Sequence, residues 1–385
     1  MIQSNTTLIL TLSLLIWGSP YIAKLARIPT PPLEIILGSI FAYLGFITHN
    51  EYFNTIAEMG FLYLMFLAGM EVDLKQIKTS SKEVIEKSIA FLLIMTLLSI
   101  FFGFIFHLNA ITIVSMPLIS IGLLASLSKT YGKDKSWLKL AFIAGILGEI
   151  LSIIALTILD VASHTGFDMK LFIKGSYLLM FVIAVYIVYR LFHLLFWWFP
   201  EIKKVLVPKE DTADQDIRLA MSLFFILITV MLYMELELAL GGFIAGIAIS
   251  TFFKHEKKLE EKMSSIGFGF LIPIFFIHVG ASLDLSSLAI KGVVTGALLI
   301  STLMLLTRLI AAIILKHISG SKDALLVALA LSMPLTLLVA VATIGYEAKW
   351  IDILSYYQLI LASIFEIIIS MVAIKILSKT ELKES

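Results

Sequence analysis

The sequence predicts an all-α polytopic membrane protein, and three observations predict it: overall apolarity, apolar runs recurring at membrane length, and basic residues confined to alternate connections. Of 385 residues, 59% are hydrophobic and only 15% charged, with a mean hydropathy of +1.00. That balance excludes an ordinary soluble domain. Runs long enough to cross roughly 30 Å of hydrocarbon fall at about 6–24, 32–48, 55–72, 87–107, 110–128, 138–160, 171–199, 217–234, 236–253, 265–280, 290–315, 322–345 and 354–377. Thirteen spans place the two termini on opposite faces.

The basic residues set the orientation. Alternate connections hold Lys24 and Arg27; Lys75, Lys78, Lys82 and Lys87; Lys129, Lys133, Lys135 and Lys139; Lys203, Lys204, Lys209 and Arg218; Lys254, Lys257, Lys258 and Lys262; Lys316 and Lys322; and Lys375, Lys379 and Lys383. The intervening connections hold only Lys170, Lys174, Lys291 and Lys349, while Arg190 and Arg308 lie inside spans. The positive-inside rule therefore predicts a multi-pass protein of the cytoplasmic (inner) membrane, with its N-terminus outside and its C-terminus in the cytoplasm. The start MIQSNTTLILTLSLLIW lacks the basic region of a cleavable signal and reads as the first span. The absence of cysteine removes disulfides, thiolate metal sites and thiol nucleophiles, and no cofactor is expected.

A single membrane domain is expected over 1–385, built from a first repeat at about 1–165 and a second at about 217–380, joined by a cytoplasmic linker at about 200–216 containing PKEDTADQD. Two segments suggest the repeat. GFLYLMFLAGMEVDL (60–74) and GFLIPIFFIHVGASLDL (269–285) share an apolar aromatic middle followed by Gly69 with Asp73-Leu74 and by Gly280 with Asp284-Leu285. In this topology the copies end on opposite faces, the pattern of an inverted repeat used by many secondary transporters. The plainer alternative is that Gly followed by Asp simply ends an apolar helix twice.

If the repeat holds, spans five and twelve correspond, as do six and thirteen. Span five contains Ser120, Gly122, Ser126 and Ser128; span twelve contains Pro334 between Ser332 and Thr336. A mid-span proline frees a backbone carbonyl, tolerable in a membrane only against protein or a water-filled cavity. Interrupted helices at corresponding positions point to a midplane binding site, although Ser and Gly also serve close helix packing.

Glu149 lies in span six, where an ionised acid at the bilayer centre costs roughly 2.5–3.5 kcal/mol. A cation, a proton or a basic partner must offset that cost. Arg308 in span eleven is the other deeply placed charge and the natural partner for Glu149; a guanidinium stays protonated, so a transported proton rides on the carboxylate. Asp160 reads as an interfacial acid sooner than a ligand. Glu366, in span thirteen, is a candidate partner of Arg308 or of another element. Glu34 and Glu71 lie near span ends, where capping explains them equally well. His278 titrates in the right range for a switch, but a lone helical histidine is more often a packing residue.

At these residues the chain resembles the second monovalent cation:proton antiporter family, which includes sodium/proton and potassium-efflux antiporters. The resemblance rests jointly on EMGFLYLMFLAGMEVDLKQI, ALGGFIAGIAIS (239–250), FLIPIFFIHVGASLDL and SKDALLVALALS, and covers essentially the whole chain. It implies a homodimer, a mobile core where two broken helices cross, elevator-like alternating access, and exchange of Na⁺ or K⁺ for H⁺ in pH homeostasis, here without a regulatory nucleotide-binding domain. Carried over by residue, Glu149 falls at the family's ion-binding carboxylate, Arg308 at the basic position of the eleventh helix, and Ser126 and Ser128 in the break of span five. Two positions depart from the pattern. Gly148 stands where the first polar residue of an ion-binding pair is expected, and Met333-Pro334-Leu335-Thr336 stands where related chains often read Pro-Arg-Gly-Glu. With one acid on span six, the simplest exchange is one cation for one proton and electroneutral.

Rival readings are a channel or uniporter on the same fold, favoured by Gly148, and a non-transporting membrane sensor or scaffold. An intramembrane enzyme lacks its signature, with no His-Glu-x-x-His helix and no nucleophile beside a base. Nucleic acid is not an expected partner, because the basic residues sort by membrane face as topology alone requires.

Overall fold

The computed structural model describes residues 2–26, 30–48, 50–72, 79–132, 134–165, scattered positions between 176 and 198, and 214–234, 236, 238–252, 257–283 and 285–379. Every regular element among them is helical. Asp73, Asp284, most of the seventh expected span and the linker up to residue 213 lie outside the described residues. The helices are α1 (Ile2–Ala26), α2 (Thr30–Tyr43), α3 (Glu51–Met70), α4 (Lys82–Ile105), α5 (Ala110–Ser115), α6 (Leu124–Tyr131), α7 (Ser136–Thr165), α8 (Gln215–Tyr233), α9 (Leu238–Phe252), α10 (Lys257–Ile266), α11 (Ile272–Ala281), α12 (Val293–Ala311), α13 (Lys316–Ala330), α14 (Leu335–Glu347) and α15 (Ile353–Lys379). Among the described residues, eight helical stretches are long and apolar enough to cross a membrane. A π-helical turn, Gly267–Leu271, joins α10 to α11, and Gly320, at φ 81° and ψ 165°, turns the chain inside α13 with a conformation only glycine adopts readily.

The chain divides into two compact units, the first comprising residues 1–60, 75–154 and 270–385 and the second residues 61–74 and 155–269. In the first unit, α2 and α11 cross where small residues let two backbones meet. A Cβ on Gly38 would stand 2.2 Å from the Ile277 carbonyl oxygen, and one on Gly280 would stand 1.9 Å from that of Ile35. Ser39 Oγ donates across the crossing to the Gly280 carbonyl at 2.8 Å. Without a hydrophobic drive between helices in lipid, such close approach is what holds them. Beside it, Leu8, Leu15, Phe53 and Ile274 form a buried cluster, and α12 lies along α15 with Gln358 Nε2 donating to the Gly292 carbonyl at 3.0 Å.

The second unit repeats the device. There α3 and α9 cross with Gly69 against the Phe243 carbonyl and Gly246 against that of Phe66, each hypothetical Cβ lying 2.0 Å away. In both crossings the obstructing carbonyl belongs to the residue three positions before the partner's glycine. Phe66 and Phe224 pack edge to face at 5.3 Å, and Tyr63 Oη donates to the Met263 carbonyl at 3.1 Å. Lys262 Nζ lies 3.1 Å from Asp216 and 3.4 Å from Asp214.

Candidate ion site at two interrupted helices

Spans five and twelve are both interrupted. The first stops at Ser115 and resumes at Leu124; the second stops at Ala330 and resumes at Leu335. Each break contains a proline, Pro117 and Pro334, whose ring removes an amide donor and disfavours helix in the residue before it. Breaks in a low-dielectric interior leave peptide groups that need partners. Their partners are supplied from the helices that follow, together with α12.

In the first break the Ile119 N–H donates to Ser152 Oγ at 2.9 Å and the Ile121 N–H donates to Glu149 Oε2. Both acceptors project from one face of α7, three residues apart, as helical spacing requires. Glu149 is fully buried, and its second oxygen, Oε1, has no hydrogen-bond partner among the described residues. Ser120 Oγ of the first break and Thr336 Oγ1, in the first turn of α14 just after the second, are 3.4 Å apart. In the second break Ser332 Oγ bonds back to the Ala328 carbonyl at 2.8 Å, while the Ser332 carbonyl accepts from Ser370 Oγ of α15 at 3.3 Å. Pro334 caps α14, its carbonyl receiving the Leu338 N–H at 2.8 Å.

Arg308, also fully buried, does not ion-pair with Glu149. Its guanidinium donates from Nη1 to Glu366 Oε1 and to the Met304 carbonyl, both at 2.9 Å, and from Nη2 to the Leu118 carbonyl at 2.6 Å. The pairing with Glu149 drawn from sequence is thus corrected to Glu366, because α12 lies along α15 and presents Arg308 to that helix. Arg308 still serves the first break, through a carbonyl.

Ser126 and Ser128 do not line the break. The interruption is Met116–Leu123, and both serines lie beyond it on α6, where helix has resumed. Ser128 is buried, and the side chain of Ser126 lies outside the described residues. Gly148 offers no polar group either. A Cβ there would come within 2.7 Å of Ile119 Cδ1 and 3.1 Å of Leu92 Cδ2, so the missing polar side chain is replaced by packed hydrocarbon. His278 is bound to Asn54 Oδ1 at 2.9 Å with Phe53 edge-on at 4.9 Å, the packing role. Asp160 lies on α7 with its side chain outside the described residues.

Sequence reasoning missed Ser152 and Ser370 altogether and passed over Ser120 as a site residue. A signal was present. Ser-Met-Pro-Leu occurs at 115–118 and again at 332–335, and a glutamate follows each proline by 32 residues, Glu149 after Pro117 and Glu366 after Pro334. That duplication marks both breaks and both acids.

The described residues contain no group of three or more His, Asp or Glu able to hold a metal, and the site instead offers one carboxylate among hydroxyls and backbone groups. Such a set suits a monovalent cation or a proton. A family model described as the transmembrane sodium/hydrogen exchanger matches residues 9–380. YjbQ of Bacillus subtilis (strain 168) is 26% identical over 377 residues, 92% of this chain and 60% of that protein, so the chain spans about three fifths of its length. A protein of Enterococcus hirae named "Na(+)/H(+) antiporter" is 24% identical over 383 residues, covering 93% of this chain and 94% of its own. The solved structure of the sodium proton antiporter MjNhaP1 from Methanocaldococcus jannaschii at pH 8 superposes with a TM-score of 0.68 at 17% identity, over 96% of this chain and 95% of that one, which shows a shared fold.

Proposed function

Since the chain belongs to the family of transmembrane sodium/hydrogen exchangers, we propose that it exchanges a monovalent cation, Na⁺ or K⁺, for H⁺ across the cytoplasmic membrane by alternating access, with Glu149 carrying each in turn. The observation that carries this reading is the unpartnered Oε1 of a fully buried Glu149. A bare carboxylate with one oxygen unsatisfied is too costly to leave in a dry interior. A proton or a partly dehydrated cation on that oxygen removes the cost, and the two exclude each other. The hydroxyls of Ser120 and Thr336 complete an oxygen shell from the meeting point of the breaks, in this reading, while the Ile121 amide holds the other carboxylate oxygen in place.

The charges support one-for-one exchange. Glu149, Glu366 and Arg308 sum to one negative charge in the empty site, which one cation or one proton neutralises. Only loaded forms then cross the barrier cheaply, which makes the exchange obligatory. The N-terminus lies outside and the C-terminus in the cytoplasm by the distribution of basic residues, and the working unit is a homodimer by resemblance.

The test is dequenching of a pH-sensitive dye in proteoliposomes on addition of Na⁺, K⁺ or Li⁺. Wild type is expected to move protons with at least one cation and Glu149→Gln with none. Proton movement undiminished in Glu149→Gln removes the carboxylate from the mechanism; cation flux without proton movement in wild type makes the protein a uniporter.

A further inference from the structure

Glu366 is a buried acid that this exchange scheme leaves idle, yet its position repeats that of Glu149. Each acid follows the proline of a Ser-Met-Pro-Leu segment by the same 32 residues, and each stands on the helix after an interrupted span. Their surroundings differ in one respect. Among the described residues each acid keeps one oxygen without a partner, Glu149 Oε1 and Glu366 Oε2; the other oxygen of Glu149 accepts from the Ile121 amide, whereas that of Glu366 is held at 2.9 Å by Arg308, which at the same repeat offset corresponds to Phe91. The guanidinium takes the Glu366 carboxylate, the Met304 carbonyl and the Leu118 carbonyl freed by the first break. A carboxylate with main-chain carbonyls, one of them freed by a break, is the kind of oxygen set that holds a dehydrated alkali cation.

We propose that Glu366 is a second monovalent-cation site, related by the repeat to that of Glu149, and that the Arg308 guanidinium is a tethered cation that fills it. Arginine carries one positive charge and does not release a proton at accessible pH, so the filled site cannot exchange its occupant. Arg308 thereby sets the number of mobile cations at one per chain. Two acids supply two sites; one of them is closed by covalent attachment of its cation. Removing the guanidinium while keeping Glu366 opens the second site to sodium.

This inference rests on Glu149 as the cation carboxylate, and the experiment separates the two ideas. Radioactive sodium binding at equilibrium is measured on the full-length protein in detergent for wild type, Glu149→Gln, Glu149→Gln/Arg308→Ala and Glu149→Gln/Arg308→Ala/Glu366→Gln. Expected are one bound sodium per chain, none, one, and none. Binding in wild type that survives Glu149→Gln sinks the reading of Glu149; loss in Glu149→Gln without recovery in Glu149→Gln/Arg308→Ala sinks only the second site. Recovery that persists when Glu366 is also removed assigns the sodium elsewhere and overturns the proposal. Where Glu149→Gln/Arg308→Ala does not stay folded alone, it is purified with methylguanidinium, which refills the vacated place. Sodium must then displace that ion, and a folded protein from which it cannot do so refutes the proposal.

Discussion

The two breaks share the segment Ser-Met-Pro-Leu and are held open by different means. The first runs eight residues, Met116–Leu123, and two of its peptide groups are met by charged side chains, a carboxylate on the Ile121 amide and a guanidinium on the Leu118 carbonyl, while a hydroxyl, that of Ser152, takes the Ile119 amide. The second runs four, Leu331–Pro334, and is held by hydroxyls, Ser370 on the Ser332 carbonyl and Ser332 on its own helix. The longer interruption exposes more main chain and so needs stronger partners. The comparison teaches that the same Ser-Met-Pro-Leu segment accompanies two openings, and that side chains outside that segment decide which opening is electrically active.

The largest effect that can break this contrast lies at the acids. Glu366→Gln strips a buried guanidinium of its counter-charge and is expected to cost about 3–5 kcal/mol, whereas Glu149→Gln removes no ion pair and leaves stability unchanged or raised. Thermal unfolding in detergent, read side by side, checks the pair; equal losses erase the distinction drawn between them. Next comes Ser152→Ala, which orphans the buried Ile119 amide at an expected cost of about 1–3 kcal/mol. Ser370→Ala at the second break is expected to cost about 0.5–1.5 kcal/mol, and the same melts rank the two.

Gly148→Ala sharpens the contrast on its steric side. The added methyl meets Ile119 Cδ1, the mobile tip of a side chain, and the expected cost is about 1–3 kcal/mol of overpacking. Because Ile119→Ala carries a cavity cost of its own, the comparison is a double-mutant cycle: Gly148→Ala is expected to cost less in an Ile119→Ala background than in wild type. An equal cost in both backgrounds shows that the glycine serves something other than space.

A further effect of modest size lies outside the membrane spans. Asp352 caps α15, accepting the Ser355 N–H at 2.9 Å, and its carboxyl is held below the ordinary aspartate range, first by the Ser355 hydroxyl and then by that amide. A group depressed on folding stabilises above its unfolded value, near pH 3.9, and loses that contribution as pH falls through the lower folded value. Asp352→Ala is expected to cost about 0.5–2 kcal/mol at neutral pH and less once the wild-type carboxyl is protonated; melts across an acid series test this.

Much of this is legible in the sequence. Apolar runs of membrane length and Pro334 located the helices and the second break because both follow from backbone chemistry that a single residue type enforces. Glu149 was legible for the same reason, an acid in hydrocarbon being costly wherever its neighbours stand. Partner choice was not. Arg308 had two acids within plausible reach, and only the lie of α12 along α15 selects Glu366. Nor did residue type reveal that Gly148 is packed beneath Ile119, since a glycine reads alike as a lost ligand and as a close contact. Ser126 and Ser128 misled because serine marks both broken and well-packed helices, while Pro117, the true marker of the first break, went unweighed.

The paired glycines of α2 with α11 and of α3 with α9 have a consequence for how much the chain can vary. At Gly38, Gly280, Gly69 and Gly246 the obstacle to a side chain is another backbone, which no compensating substitution can shrink. Elsewhere a clash with a side chain is negotiable by changing the neighbour, so two positions drift together. These four have nothing to negotiate with: the alphabet available to each is a single letter, and in a library saturating every position they are expected to be the first to admit no alternative.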